Sequence, residues 1–257
     1  MRQFRDTSNM VEFSIVCPIR NEVKLIPKTL PSFYAVKPSE VILCFDNPPH
    51  KPSYEVAKRI SKKYDAPTKF LLVDRNPEYA FHQAWVRRTG FKEARSEVTL
   101  TTDIDIVLSP SIVKYIGLVG KKNIGLVSFS KISYPITLRS AIAWLVQRVY
   151  RHKSFTGLYA FSKRAWIETE DIESLKKIPR GEDTHLHQAL AKKYDYLFIS
   201  GTRNILLRPK ESRNYQYLMG VNRWRIRKTR LWRVVVSSFL YWRPYLLLGY
   251  LKARYGE

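Results

Sequence analysis

Two aspartates two residues apart, Asp103 and Asp105 in the run TTDID, follow directly on the β-branched stretch EVTLT at 97–101. Residues two apart in an extended chain project to the same side, so the pair presents two carboxylates together. If the stretch is a parallel strand, they stand beyond its carboxyl end, where open α/β sheets bind ligands. Two carboxylates plus substrate phosphates are what Mg²⁺ or Mn²⁺ needs when it keeps part of its water shell. The same spacing also arises in surface turns. A second acidic group, Glu182 and Asp183 in RGEDTHL, heads a helical stretch at 183–193. Acids in a first helical turn are favoured by the helix dipole, so capping is the plain reading. A carboxylate there can equally act as a general base on an acceptor hydroxyl. His185 lies two residues beyond Asp183 and could reach the metal. His187 points elsewhere on a helix, and His50, His82 and His152 carry no signature. In RPKESR (208–213), Arg208, Lys210, Ser212 and Arg213 suit phosphate binding through charge-assisted hydrogen bonds, or an ordinary solvated basic turn.

The elements that must position these groups alternate in the first half of the chain. Strand-like apolar runs stand at 13–17, 40–45, 69–73 and 97–101, separated by helical stretches at 24–34, 54–64 and 79–94. Continuous apolar strands separated by helices predict a parallel sheet covered on both faces, and right-handed crossovers make a doubly wound architecture. Beyond Asp105 the regularity weakens. A strand is predicted at 123–129 and helices at 139–151 and 183–193.

With 257 residues, 45% of them hydrophobic, the chain can bury a substantial core. Cys17 and Cys44 lie inside apolar runs and read as buried free thiols rather than a disulfide framework, which fits a reducing compartment. The first residues lack the apolar core of a signal peptide. A net charge of +23 predicts attraction to polyanions: nucleic acid, anionic lipid or phosphorylated substrates.

Much of that charge sits at the C-terminal end. From 208 to 257 there are twelve Lys or Arg and two Glu, interleaved with Trp224, Trp232, Tyr241, Trp242, Tyr245 and Tyr250. The window 234–251 is long enough for a membrane span, but Arg243 and Pro244 interrupt it. A central arginine costs about 2.5–3.5 kcal/mol on insertion scales, and proline breaks or kinks the helix. Two shorter amphipathic helices in the membrane interface fit better, with internal packing against the protein as the alternative. Residues 1–210 are therefore expected to form the catalytic domain and 211–257 a basic, Trp/Tyr-rich segment.

Five segments together resemble family 2 glycosyltransferases. PIRNE (18–22) is similar to that family's opening after the first strand, and CFDNPP (44–49) stands where it has an aspartate closing the second. ARSEVTLTTDIDIVLSP (94–110) resembles its D-x-D signature, TGLYAFSKRAW (156–166) its acceptor-side segment, and GEDTHL (181–186) its E-D motif. The matches run in order across residues 13–200. RPKESR further resembles a segment of the polyprenyl-phosphate and dolichyl-phosphate type members.

The resemblance implies a GT-A fold, an α/β fold with a mostly parallel, Rossmann-like sheet flanked by helices and here followed by C-terminal amphipathic helices. It also implies inverting transfer from a UDP- or GDP-sugar with Mg²⁺ or Mn²⁺. Pro18, Arg20 and Glu22 would border the nucleotide, and Asp46 would hydrogen-bond its base. Asp103 would sit by the ribose and diphosphate, and Asp105 would hold the metal, with Asp103 and His185 as further candidate ligands. Arg88 stands where the family often has asparagine and counts with the donor set. Asp183 would be the base, while Gly157, Glu182, Arg208, Ser212 and Arg213 would serve the acceptor side. Asn47 and Pro48 depart from the family, which commonly has a second aspartate and a glycine after Asp46. The expected acceptor is lipid-linked or membrane-associated, at the cytoplasmic face of an anionic cell membrane. Two other readings are open: a basic nucleic-acid-binding protein, for which no recognisable motif is present, and a sugar nucleotidyltransferase, which lacks its Gly-rich loop.

Overall fold

The computed structural model describes residues 11–136, 145, 157–178, 181–207, 213–225, 228–240 and 243–256. Its first part alternates β1 (Phe13–Ile19), α1 (Ile26–Ala35), β2 (Glu40–Asp46), α2 (Lys51–Ser61), β3 (Thr68–Val73), α3 (His82–Glu93) and β4 (Val98–Thr101). Strand β1 is buried at all seven positions and β2 at six of seven. Side-chain alternation splits them between two cores. Phe13, Ile15 and Cys17 join Leu30 and Phe33 of α1 on one face. Val16, Ile42 and Cys44 meet Val86 and Phe91 of α3 on the other. Both thiols are buried and free, as expected.

The remaining elements are β5 (Ile106–Val107), a 3₁₀ turn (Pro110–Ile112), α4 (Val113–Ile116), β6 (Ile124–Ser133), β7 (Tyr159–Ser162), α5 (Lys163–Thr169), α6 (Ile172–Lys177), α7 (Glu182–Leu190) and β8 (Asp195–Leu206). The sheet order is β3-β2-β1-β4-β7-β6-β8-β5. Its first four strands are parallel, as expected. Beyond β4 the sheet becomes mixed. Strand β7 runs antiparallel to both β4 and β6, and β5 antiparallel to β8, whereas β6 and β8 are parallel. Strands β5, β7 and β8 were not predicted. The helix expected at 139–151 lies outside the described residues, apart from residue 145.

Three helices follow: α8 (Arg213–Arg225), α9 (Leu231–Leu240) and α10 (Pro244–Tyr255). Pro244 opens α10 at its first turn, where its missing N–H costs nothing, so the Arg-Pro pair separates two helices rather than kinking one. Gly220 and Gly249 let α8 and α10 cross closely: a Cβ on Gly220 would lie 2.0 Å from the Leu246 carbonyl oxygen, and one on Gly249 2.1 Å from that of Tyr217. Val234, Leu246 and Tyr250 form a small core between the helices, separate from the two sheet cores. The Tyr250 hydroxyl donates to the Thr229 carbonyl at 2.6 Å. Among the described residues no helix is long and apolar enough to cross a membrane.

Candidate active site

The parallel strands deliver their last residues to one edge of the sheet. At the end of β2 the Asp46 carboxylate takes Arg20 Nε on Oδ2 at 3.2 Å and faces His82 Nε2 across Oδ1 at 3.2 Å. Arg20 follows β1, and its backbone N–H donates to Glu22 Oε2 at 2.7 Å. Pro18 lies within β1, in register with Cys44. Asn47, beside Asp46, donates to Asp74 Oδ1 at 2.7 Å. Arg20 thus brings Glu22 and Asp46 together at this edge. His82, set aside earlier, joins them because it is the first residue of α3 and so returns to the sheet's carboxyl edge.

The D-x-D pair departs from expectation. Strand β4 ends at Thr101, and the Ile106 N–H donates to the Asp103 carbonyl at 3.1 Å, closing a turn over 103–106. Strand alternation therefore does not relate the two carboxylates. Asp103 keeps 25% of its side chain exposed, whereas Asp105 as a residue is 2% exposed. The more accessible carboxylate is Asp103. The Leu207 N–H donates to the Asp105 carbonyl at 2.7 Å, bringing the end of β8 beside this turn.

At the centre lies Arg87, which sequence reasoning missed in favour of its neighbour. Its guanidinium donates to Thr101 Oγ1 at 2.8 Å and Asp103 Oδ1 at 2.5 Å, and stands 3.2 Å from Glu182 Oε1 and 3.8 Å from Asp183 Oδ1. Arg88, expected in the donor set, instead forks onto Glu170 at 2.6 and 3.0 Å, a bidentate pair that ties α3 to the loop after α5. Successive helical residues point ~100° apart, so only one of the two can face the end of β4. A signal was present. Arg87 is three residues before Gly90, hence on the same helical face, and Gly90 packs against Val16 and Cys44 of the sheet.

Glu182 and Asp183 open α7 after Gly181, whose φ of 91° supplies a left-handed start without side-chain capping. Both carboxylates turn to Arg87, Glu182 with Oε1 at 3.2 Å and Asp183 with Oδ1 at 3.8 Å. Asp183 Oδ1 accepts the Tyr159 hydroxyl at 3.0 Å. A Cβ on Gly157 would lie 2.9 Å from Asp103 Oδ2 and 3.3 Å from Asp183 Oδ2, so the bare glycine leaves one space onto which both oxygens open. Burial pushes the Asp183 carboxyl above its usual range, with Arg87 and the Tyr159 hydrogen bond pulling it back and Asp103 pushing it further. Glu182 is pushed up to about 7 by burial and then by Asp183, against Arg87. Tyr159 is fully buried, with its ring edge-on to His187 at 4.4 Å. Burial first, and the Asp183 charge second, keep its phenol protonated, so it remains a donor.

His185 does not join the two aspartates. It lines a cleft with Glu168, Asp171, Gln188 and Lys192. Among the described residues no group of three or more His, Cys, Asp or Glu is placed to hold a metal ion. The donor set that remains, Asp103 and Asp105, still fits Mg²⁺ or Mn²⁺, ions held by one or two carboxylates with water and substrate phosphates completing the shell. Arg213 lies in the C-terminal helices with its guanidinium over the Tyr245 ring at 5.4 Å, and Arg208, Lys210 and Ser212 lie outside the described residues.

Residues 14–134 match the family model described as glycosyl transferase family 2. The chain superposes on the mannosyltransferase PcManGT from Pyrobaculum calidifontis, solved with GDP-Man and Mn²⁺, at a TM-score of 0.63 and 16% identity, covering 96% of this chain and 71% of that one. It also superposes on S. aureus TarS 1–349 in complex with UDP at a TM-score of 0.56 and 14% identity, covering 82% of this chain and 64% of that one. At these identities the likeness speaks to the fold, a GT-A fold. No curated protein sequence matches the chain.

Proposed function

We propose a mechanism from the premise that residues 14–134 are a glycosyl transferase family 2 domain on a GT-A fold, which makes the chain a glycosyltransferase using a nucleotide-sugar donor. In this reading the enzyme inverts the anomeric centre, with Asp183 as the base. The observation that carries it is the convergence of Asp103 Oδ2 and Asp183 Oδ2 on the space beside Gly157, with one guanidinium holding both residues.

The division of labour follows from the geometry. Arg20, Glu22, Asp46 and His82 form the polar edge of the nucleotide pocket, beside Pro18. Asp46 would accept from the base, a contact for which its exposure leaves room. Asp103 and Asp105 would hold Mg²⁺ or Mn²⁺, which when bound neutralises charge on the leaving diphosphate. Asp183 takes the proton of the acceptor hydroxyl. Its Oδ1 is committed to Tyr159 and faces Arg87, so Oδ2 is the oxygen aimed at the cleft and the one to accept. Arg87 keeps three clustered carboxylates from repelling one another and fixes the distance between the donor and acceptor sides. Gly157 admits the sugar, and Glu182 borders the acceptor. The basic C-terminal segment supports a lipid-linked or membrane-associated acceptor and a place at the cytoplasmic face of an anionic membrane.

PcManGT was solved with GDP-Man and TarS with UDP, so both nucleotides belong in the test. Calorimetry of UDP and of GDP, each with Mn²⁺ and with EDTA, is expected to find one nucleotide bound in a metal-dependent way. Asp105→Ala should lose that dependence. Absence of binding by either nucleotide, in metal or in chelator, overturns the reading.

A further inference from the structure

Helix α9 has ten residues with two opposed faces. Val234 and Ser238 are buried at 0% and 6%, against α8 and α10. Trp232, Val236 and Phe239 are exposed at 58%, 46% and 70%. At ~100° per residue these three fall within about 60° of one another, on the side of the helix opposite Val234 and Ser238. The outward stripe is therefore not the rim of an internal core. It is flanked by cations: Lys228 and Arg230 are exposed just before the helix, and the Arg233 guanidinium lies over the Trp232 ring at 5.4 Å.

The occupant follows from chemistry. Between 213 and 256 the sequence holds ten Lys or Arg and not one Asp or Glu. Two copies of this surface would oppose like charges, which disfavours self-association. A nucleic acid would satisfy the cations but offers no apolar phase to Val236 and Phe239. An anionic bilayer satisfies both, taking the stripe into the acyl boundary and the cations at the headgroups. At 1.5 Å per residue the helix is about 15 Å long, half the ~30 Å hydrocarbon thickness, so it can lie on the bilayer but cannot span it. We propose that the Trp232–Val236–Phe239 face of α9 is the membrane-docking surface, with the helix lying in the plane of an anionic lipid interface. This rests on the reading above that the acceptor is membrane-associated, and names the surface that meets the membrane.

The test is flotation of the full chain with vesicles of phosphatidylcholine alone and of phosphatidylcholine with phosphatidylserine. The variants are Phe239→Ser, Trp232→Ser and the pair, with Arg233→Gln to probe the rim. Outward-facing variants should keep the wild-type melting curve and nucleotide binding. Expected are capture by phosphatidylserine vesicles, little by neutral ones, and a loss of at least about tenfold in the paired variant, corresponding to two large side chains removed from the acyl boundary. Wild-type capture by the paired variant overturns the assignment of this face while leaving membrane association standing. No capture of wild type by anionic vesicles overturns both. Two further outcomes overturn the bilayer as occupant: a wild-type dimer that Phe239→Ser dissociates, or salt-sensitive RNA binding that Phe239→Ser abolishes while vesicle capture persists.

Discussion

Arg20 and Arg87 each hold an aspartate, but in opposite settings. The Arg20–Asp46 pair keeps 60% and 34% of its side chains exposed, whereas Arg87 keeps 2% and faces Asp103, Glu182 and Asp183 at 25%, 11% and 23%. An exposed pair is worth about 0–1 kcal/mol and rearranges readily around an incoming nucleotide. A buried guanidinium among three carboxylates is set in place on folding, and breaking such an arrangement costs about 3–5 kcal/mol. The cleft therefore has a yielding end that suits donor entry and a rigid end that suits proton transfer.

The most damaging single change at the rigid end should be Asp183→Asn. The amide keeps the size and can still meet Tyr159, but it accepts no proton. Sugar transfer is expected to fall by about 10²–10⁴-fold, with metal-dependent nucleotide binding nearly unchanged by calorimetry. Retained turnover would move the base elsewhere. Next comes Arg87→Met, which leaves Asp103, Glu182 and Asp183 without their shared countercharge. Destabilisation of about 3–5 kcal/mol is expected in urea unfolding. Because Arg87 pulls the Asp183 carboxyl down, its loss should also move the acid limb of the pH–rate profile to higher pH. A variant as stable as wild type would show that the rigid end is not built on this residue.

Glu182 gives a pH signature of the same burial. Its folded pKa of about 7 lies above the ordinary 4.5. Between those values the folded state binds the extra proton, so stability is greater at low pH and falls as pH rises through that window, by at most about 3 kcal/mol. Glu182→Gln should flatten the decline in melting temperature from about pH 4.5 to 7. A wild-type melting temperature that rises across this window would contradict a raised carboxyl. Tyr159→Phe should be milder, lowering kcat about three- to tenfold through loss of one hydrogen bond. The lost bond is one that lowers the Asp183 pKa, so the acid limb should again move up and the deficit shrink at higher pH.

The yielding end was the more legible in sequence. Strands β1 and β2 are continuous apolar runs, and the family resemblance of PIRNE and CFDNPP at their ends singled out Arg20, Glu22 and Asp46. The rigid end depends on contacts between distant segments. Strand β7 has four residues and gains its place only by pairing antiparallel with β4 and β6. Strand β8, partly exposed along most of its length, lacks the apolar continuity of β1. Arg87 differs from Arg88 by one helical step, and only its spacing of three from Gly90 sets it on the face of α3 that meets the sheet. The aspartates were found, but the turn at 103–106 takes them out of the strand alternation expected of them, because alternation holds only while the chain stays extended.

The smallest effect on stability is expected at the yielding end. In Asp46→Asn the exposed Arg20 loses a countercharge but remains hydrated, and the half-buried His82 keeps a polar amide facing it, so unfolding free energy should change by no more than about 0.5 kcal/mol. Donor recognition should suffer more: exchanging the carboxylate for an amide removes one acceptor facing the base, weakening nucleotide affinity about tenfold. At saturating donor kcat should be nearly unchanged, because Asp46 lies at the nucleotide edge while Asp183 is held separately by Tyr159 and Arg87. The signature is a raised donor KM without loss of kcat or melting temperature, the reverse of Arg87→Met. If Asp46→Asn instead lowered kcat and stability together, the nucleotide end would be as pre-built as the catalytic end. Its exposure would then reflect an open pocket rather than a yielding one.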